Sequence, residues 1–381
     1  MYSPQYTQKD IGKYLKNSLK KEFSNNLPIP MAENCTYTKR NIINTVIFSV
    51  SNNNFIEYST KRLQDKKGFC PSSDTVFYHL NKLNENSVFS TFQQTNKTLL
   101  KQAKHQGVFD KSMWCGLDIH KIPWYGKKKD IFVLGMERAR GTNFGHGYAS
   151  LECVNPGKRF TLSALPLNQF TTKKKIIGFL VNQARGHVDI SRLFLDREFF
   201  NIESINMLEE LSALFVIPVK ENKKISSLIK EFKQNCQKSL PPYEAYNTLI
   251  IRYMLKKGKD SATFTMVIVV ESPENSGDEW DVFTYATNIP ITQFNAVEIA
   301  DSYRSRWGIE TGYRVKENIR GKTCSPGYAI RLFLQLLSVL LYNLWQLCNI
   351  IFFITTCWCK KGYMIILDEF KDIISDLIIG R

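Results

Sequence analysis

The chain has 381 residues, 43% hydrophobic and 13% aromatic, which excludes a disordered polypeptide and leaves room for two or three domains around a sizeable core. Its 51 Lys and Arg against 35 Asp and Glu give a formal net charge of +16, more than a soluble enzyme of small molecules needs, so nucleic acid is the first counter-surface and an anionic membrane the second. The nine cysteines are scattered without a CxxC pair, which suggests neither a disulfide framework nor a zinc site and points to a reducing cytoplasm.

The opening "MYSPQYTQKDIGKYLKNSLKKEF" is polar and lysine-rich and lacks the apolar core of a signal peptide. Residues 1–111 read as helical and basic, with apolar residues three and four apart in "KDIGKYLKNSLKKEF" and "YTKRNIINTVIFSVS". "SSDTVFYHLNKLNEN" opens with N-cap chemistry at Ser73-Asp74 and continues with Val76, Phe77, Leu80 and Leu83. After the turn-like "KKGFCPSSD" it fits the second helix of a helix-turn-helix, or a capped helix of any small helical domain.

From Ser112 the pattern becomes strand-like. "SMWCGLDIHKI" and "DIFVLGMERA" are followed by "GHGYASLECVNPGKRFTLSALPL", two strands joined by the hairpin punctuation Asn155-Pro156-Gly157-Lys158. The capped helix "TTKKKIIGFLVNQARG", the strand "RLFLD", the acidic helix "IESINMLEELS" and the strand "ALFVIPVK" complete residues 112–220. Three strands followed by alternating helix and strand describe a mixed α/β sheet with helices on its faces. Residues 221–288 interrupt it with a lysine-rich helix and three strand-like runs, a β-rich insertion. Helix resumes across 289–356, and 357–381 is expected to be a tail. Ala329–Thr356 is long enough to span a bilayer, but Arg331, Gln335, Asn343, Gln346 and Asn349 recur on it at helical intervals, as on a buried C-terminal helix.

Two aspartates close apolar strands: Asp118 in "WCGLDIHK" and Asp196 in "RLFLDREFF". Carboxylates there are costly unless a cation or a helix N-terminus compensates them, and either alone reads as an ordinary cap or ion-pair partner. A third acid changes that reading. If "YRSRWGIETGYRVKE" is one helix, Tyr303, Arg306, Glu310, Tyr313, Arg314 and Glu317 share one stripe, with two candidate glutamates on it. Three carboxylates on a mixed sheet suit two divalent cations held by oxygen, about 4 Å apart, which activate a water or a 3′-hydroxyl for in-line displacement at phosphorus.

"YRSRWGIETGYR", with "GLDIHK" and "FLDREFF" upstream, resembles the IS4-type (ISH3-like) DDE transposases of bacterial and archaeal insertion sequences. Their hallmark is Tyr, two residues, Arg, three residues, Glu, then six residues and Lys; Tyr303, Arg306 and Glu310 match it, so the spacing selects Glu310. The resemblance covers most of Ser112 to Trp345 and implies an RNase H-like fold with an insertion before the glutamate. It departs at the lysine position, which holds Glu317, with Lys316 just before it and Arg314 on the face of Glu310.

The resemblance implies Asp118, Asp196 and Glu310 as catalytic acids and ligands of two Mg²⁺ ions, with Mn²⁺ as a substitute. It implies DNA contacts for Tyr303, Arg306, Arg314 and Lys316, with core packing and an ion pair as the alternatives for the first two. Trp280 in the insertion is a candidate for stacking on an extruded base, against an ordinary core tryptophan. His120, on the same side of its strand as Asp118, is a candidate helper. Lys127-Lys128-Lys129 and Lys173-Lys174-Lys175 are candidate phosphate contacts or solvated charge. The expected protein is a cytoplasmic, nucleoid-associated transposase, a homodimer on paired ends with no membrane. Residues 1–111 would bind terminal inverted repeats, and the 3′-hydroxyl would be joined to target DNA. Two alternatives compete: a catalytically inactive, transposase-derived DNA-binding protein, and a membrane-associated basic protein resting on Ala329–Thr356 alone.

Overall fold

A computed structural model describes residues 8–127, 130–139, 141–239, 246–271, 280–293, 295–356 and 364–380. Five helices come first: α1 (Gln8–Ser18), which runs into a π-helical turn at Leu19–Ser24, then α2 (Lys39–Ser51), α3 (Ile56–Lys67), α4 (Ser73–Leu80) and α5 (Glu85–His105). Thr38, Ser72 and Asn84 start α2, α4 and α5 by accepting the N–H three residues on. The cap of α4 is therefore Ser72, one residue before the Ser73-Asp74 pair expected from the sequence.

The sheet strands are β1 (Met113–Pro123), β2 (Val133–Ala139), β3 (Thr142–Cys153) and β4 (Thr161–Pro166). Next come α6 (Lys173–Arg185), β5 (Ile190–Leu195), α7 (Ile202–Glu210), β6 (Phe215–Pro218) and α8 (Lys223–Ser239). β7 (Tyr246–Lys257), β8 (Asp260–Glu271) and β9 (Asp281–Thr287) complete the sheet. Helices α9 (Ala296–Arg304), α10 (Trp307–Glu317), α11 (Tyr328–Thr356) and α12 (Leu367–Ile379) end the chain.

One nine-stranded sheet runs in the order β2-β3-β1-β5-β6-β9-β8-β7, with β4 also paired to β3. β3 is antiparallel to β1 and β4, whereas β1, β5 and β6 are mutually parallel neighbours. This is the mixed RNase H-like sheet that the resemblance implies. The three strands of the β-rich insertion extend it: the edge of β6 pairs through Val216, Ile217 and Pro218 with Thr287, Ala286 and Tyr285 of β9. Left unpaired, the edge of β6 would be a ready template for another strand, and β9 fills it.

Alternation along the strands builds two cores. Leu193, Leu195, Phe215, Ile217, Met266 and Ile268 pack with α6 and α7, while Phe194, Val216, Val267 and Val269 pack under α9 with Ile299, Ala300, Tyr303 and Ile309 of α10. The first core also takes in α1 to α5, α11 and α12, so no break in packing separates the N-terminal helices from the sheet.

α11 is a core helix. Asn343 Nδ2 donates to Asn96 Oδ1 (2.7 Å) and Thr161 O (2.8 Å), its Oδ1 accepts from Thr161 N (2.9 Å), and Asn349 exchanges bonds with the backbone of Ile365. Asn343 and Asn349 are thus satisfied inside the protein, as burial requires. The segment expected as a tail carries α12, which buries Phe370, Ile374 and Ile378 and receives a bond from Lys67 Nζ at Ile378 O (3.0 Å).

Candidate active site

Leu117 pairs with Leu195 in the parallel ladder between β1 and β5, so Asp118 and Asp196, each one residue further, emerge side by side. Binding crevices of open α/β sheets form at these carboxyl ends. The third acid arrives on a bent helix. Between α9 and α10 the backbone tightens into i→i+3 bonds, Ser305 N to Ser302 O (3.1 Å), Arg306 N to Tyr303 O (2.9 Å) and Ile309 N to Arg306 O (2.8 Å). The single helical stripe drawn from Tyr303 to Glu317 is therefore split: α9 carries Tyr303 into the core and α10 carries Glu310 over the strands.

Small residues let α10 approach. A Cβ on Gly116 of β1 would lie 2.2 Å from Ile309 Cδ1, and one on Gly312 of α10 would lie 2.8 Å from Glu152 Oε2.

The three acids converge on one guanidinium. Arg306 Nη2 lies 3.2 Å from Glu310 Oε1 and 3.8 Å from Asp196 Oδ1, and Nη1 lies 3.9 Å from Asp118 Oδ1. Arg306 is buried, and its Nε has no hydrogen-bond partner among the described residues. Burial works against its charge, but Tyr303, Asp118, Asp196 and Glu310 outweigh that and hold it protonated. Asp118 is pushed up to about 7, chiefly by burial; Arg306 pulls it down, while Asp196 and Glu198 push it further up.

An all-oxygen carboxylate set suits a hard divalent cation. These three oxygens already surround one positive centre, so the donor set fits, although in this arrangement no three acidic, His or Cys side chains among the described residues are close enough to hold an ion directly. The guanidinium stands among them instead.

Behind the acids runs a buried polar network absent from the sequence reading. Tyr313 Oη lies 2.8 Å from Ser150 Oγ and donates to Asp118 O (3.2 Å); Ser150 donates to Glu152 Oε1 (2.9 Å); Lys316 pairs with Glu152 and donates to Thr161 Oγ1 (3.3 Å). Glu152 was legible as an acid within an otherwise apolar strand run, "ASLECV".

Several expected contacts fall elsewhere. Lys316 is 2% exposed and points into the sheet, because a buried Glu152 demands a cation; it cannot meet DNA there. Tyr303 is buried with its hydroxyl donating to Leu195 O (3.1 Å) and its ring against Phe194 and Tyr285, the packing alternative rather than a surface contact. Arg306 also takes its alternative, an ion-paired place. Trp280 is half-buried against the core, with its carbonyl accepting from Lys233 Nζ (2.8 Å). Glu317, at the lysine position, faces His120 (3.5 Å) and Arg320 (3.9 Å), and the hydrogen bond from His120 lowers its pKa. His120 in turn stacks on Tyr313.

Arg314 stays exposed on α10. Trp307, next to Arg306 in the chain and three residues before Glu310 on α10, is 68% exposed, a large ring that the sequence pattern did not single out. Lys173 and Lys174 are engaged by Glu198 (3.6 Å) and Glu210 (3.0 Å). Lys128 and Lys129 lie outside the described residues.

Residues 171–344 match the family model of the transposase DDE domain, a stretch that contains Asp196, Tyr303, Arg306 and Glu310 and begins after Asp118. A search of curated proteins finds no match to the chain. Among solved structures, the cryo-EM structure of the piggyBac transposase synaptic complex with hairpin DNA is similar in fold, with a TM-score of 0.55 and 11% identity over 96% of this chain and 78% of that chain.

Proposed function

We propose, from a transposase DDE domain seated on an RNase H-like sheet, that the protein is a DNA transposase that cleaves DNA at the ends of a mobile element and joins the freed 3′-hydroxyl to target DNA. The observation that carries the reading is the convergence of Asp118, Asp196 and Glu310 on one cationic centre at the carboxyl ends of β1 and β5.

In this reading the three acids would hold Mg²⁺, with Mn²⁺ as a substitute. When bound, the metal supplies an activated oxygen nucleophile and charge neutralisation at phosphorus. The chain supplies the rest. Arg306 offsets the mutual repulsion of three carboxylates and keeps them facing one point. Tyr303 fixes the end of β5 beneath Asp196, and Tyr313 fixes the backbone at Asp118. Arg314 and Trp307 offer a cation and a ring to the DNA strand, and the net charge of +16 supplies the wider phosphate-binding surface.

Membership of the IS4 group, binding of terminal inverted repeats by residues 1–111, a homodimer on paired ends and a nucleoid-associated place in the cytoplasm belong to the same proposal. They are supported by the Tyr303-Arg306-Glu310 spacing and by the basic charge.

Asp118→Asn and Glu310→Gln provide the test. Both variants should still shift end-bearing DNA in a gel, while Mg²⁺-dependent cleavage falls about a thousandfold or more, the loss of several kcal/mol of transition-state stabilisation. Cleavage undiminished in both variants would overturn the assignment. A wild-type chain that binds DNA but never cuts it would instead support the inactive DNA-binding reading.

A further inference from the structure

A cavity of about 1110 Å³ opens where the segment after β1, the α10–α11 loop and the start of α3 meet. It lies on the acids' face of the sheet. His120 pairs with Tyr148 and Ile122 with His146 across β1 and β3, and each of these alternates with Asp118. From Asp118 to Ile122 is four residues, ~13 Å along the strand. Glu317 links the two places, touching His120 toward the acids and Arg320 on the cavity wall.

The lining combines flat rings and cations. Trp124 has His146 against it (5.1 Å between ring centroids) and the Arg331 guanidinium over its face (4.5 Å), and its Nε1 donates to Lys127 O (3.2 Å). Only a glycine permits this placement, because a Cβ at Gly126 would lie 2.1 Å from the indole. Burial and the neighbouring Arg331 lower the His146 pKa to about 4, leaving a neutral ring. Tyr125 on the same rim is 66% exposed. Lys127, Arg320, Lys322 and Arg331 line the cavity against one acid, Asp130.

One polar atom there is unspent. Gln335 is 6% exposed and lines the cavity, yet its Oε1 has no hydrogen-bond partner among the described residues. It is one of eight buried side-chain atoms left without a partner among the described residues, and it lies on the cavity wall, where a donor entering the cavity can reach it.

We infer that this cavity receives an unpaired nucleotide of a DNA strand, its base against the Trp124 and Tyr125 rings, its amino edge toward Gln335 and its phosphate toward Arg320 and Lys322. Sequence-tolerant capture of single-stranded DNA uses this pairing of aromatic faces with cations. The inference rests on the transposase reading for the source of the strand, and it adds a second holding point on the same face as the acids.

The test uses the full chain with two probes: a duplex carrying one unpaired 2-aminopurine, and the same duplex fully paired. The parent protein should bind the first more tightly and quench its fluorescence. Trp124→Ala should lose about tenfold of that preference, with binding to the paired duplex unchanged, and Trp124→Phe should recover most of it. Tyr125→Ala, at an exposed ring that no fold depends on, should reduce it as well. Equal binding of the two probes by the parent, or a preference intact in both alanine variants, overturns the cavity's role while leaving the transposase reading standing. Failure to bind either probe overturns both.

Discussion

At the scale of single residues, Asp118 sets a pH dependence that the free protein should display. Its carboxyl is raised from 3.8 to about 7, so the stability that follows from keeping it protonated is full below about pH 4 and is lost as pH rises through about 7. Melting temperatures of the metal-free chain should therefore fall across that window relative to Asp118→Asn, which should be nearly flat there. A parallel fall in both proteins would remove Asp118 as the cause. Trp307 gives a second expectation. Its ring is 68% exposed and contributes little to folding, so Trp307→Ala should leave the melting temperature in place and weaken DNA binding about five- to tenfold, as loss of one stacked base does. Unchanged affinity in fluorescence anisotropy would count against a DNA contact there.

At the scale of elements, α10 is held by a buried ion pair, and its two halves are unequal to the pair. Lys316→Met leaves the buried Glu152 without its cation, with only the Ser150 hydroxyl as partner, and should cost about 3–5 kcal/mol, whereas Lys316→Met with Glu152→Leu should recover most of that. Urea unfolding of the three proteins decides it; equal cost in the single and double variants would mean that the pair is incidental. α12 makes a similar claim: Phe370→Ala, at 0% exposure, should cost about 3–5 kcal/mol if the helix is part of the core. The elements themselves were largely legible, because strands with period-2 apolar runs and capped helices such as the one begun by Thr172 declare themselves locally, although the run from Ser73 breaks after Leu80 and restarts at the Asn84 cap. Asp118, Asp196 and Glu310 were legible too, through strand ends and the Tyr-Arg-Glu spacing. What stayed hidden were relations between distant segments. The kink after Arg304 depends on tight turns that no spacing reveals, and Lys316 turns inward only because Glu152, far upstream, is buried opposite it.

At the scale of the whole molecule, a chain with net charge +16 should bind DNA with a steep salt dependence. Arg314→Ala should lower the slope of log affinity against log salt by about 0.9, the share of one phosphate contact, and Lys316→Met should leave the slope unchanged. Titrations across a range of salt concentrations separate the exposed cation from the buried one. The fold also carries a consequence for how such a protein can diversify. Asn96 of α5 and Asn343 of α11 close a polar clasp around the backbone of Thr161 at the head of β4, joining the first helices to the sheet from within. A graft that replaced the leading helices with those of a relative would leave amide groups stranded in that clasp. Under the proposed reading, in which residues 1–111 bind the ends, recognition of new ends is open to gradual change of surface side chains and closed to wholesale exchange of those helices.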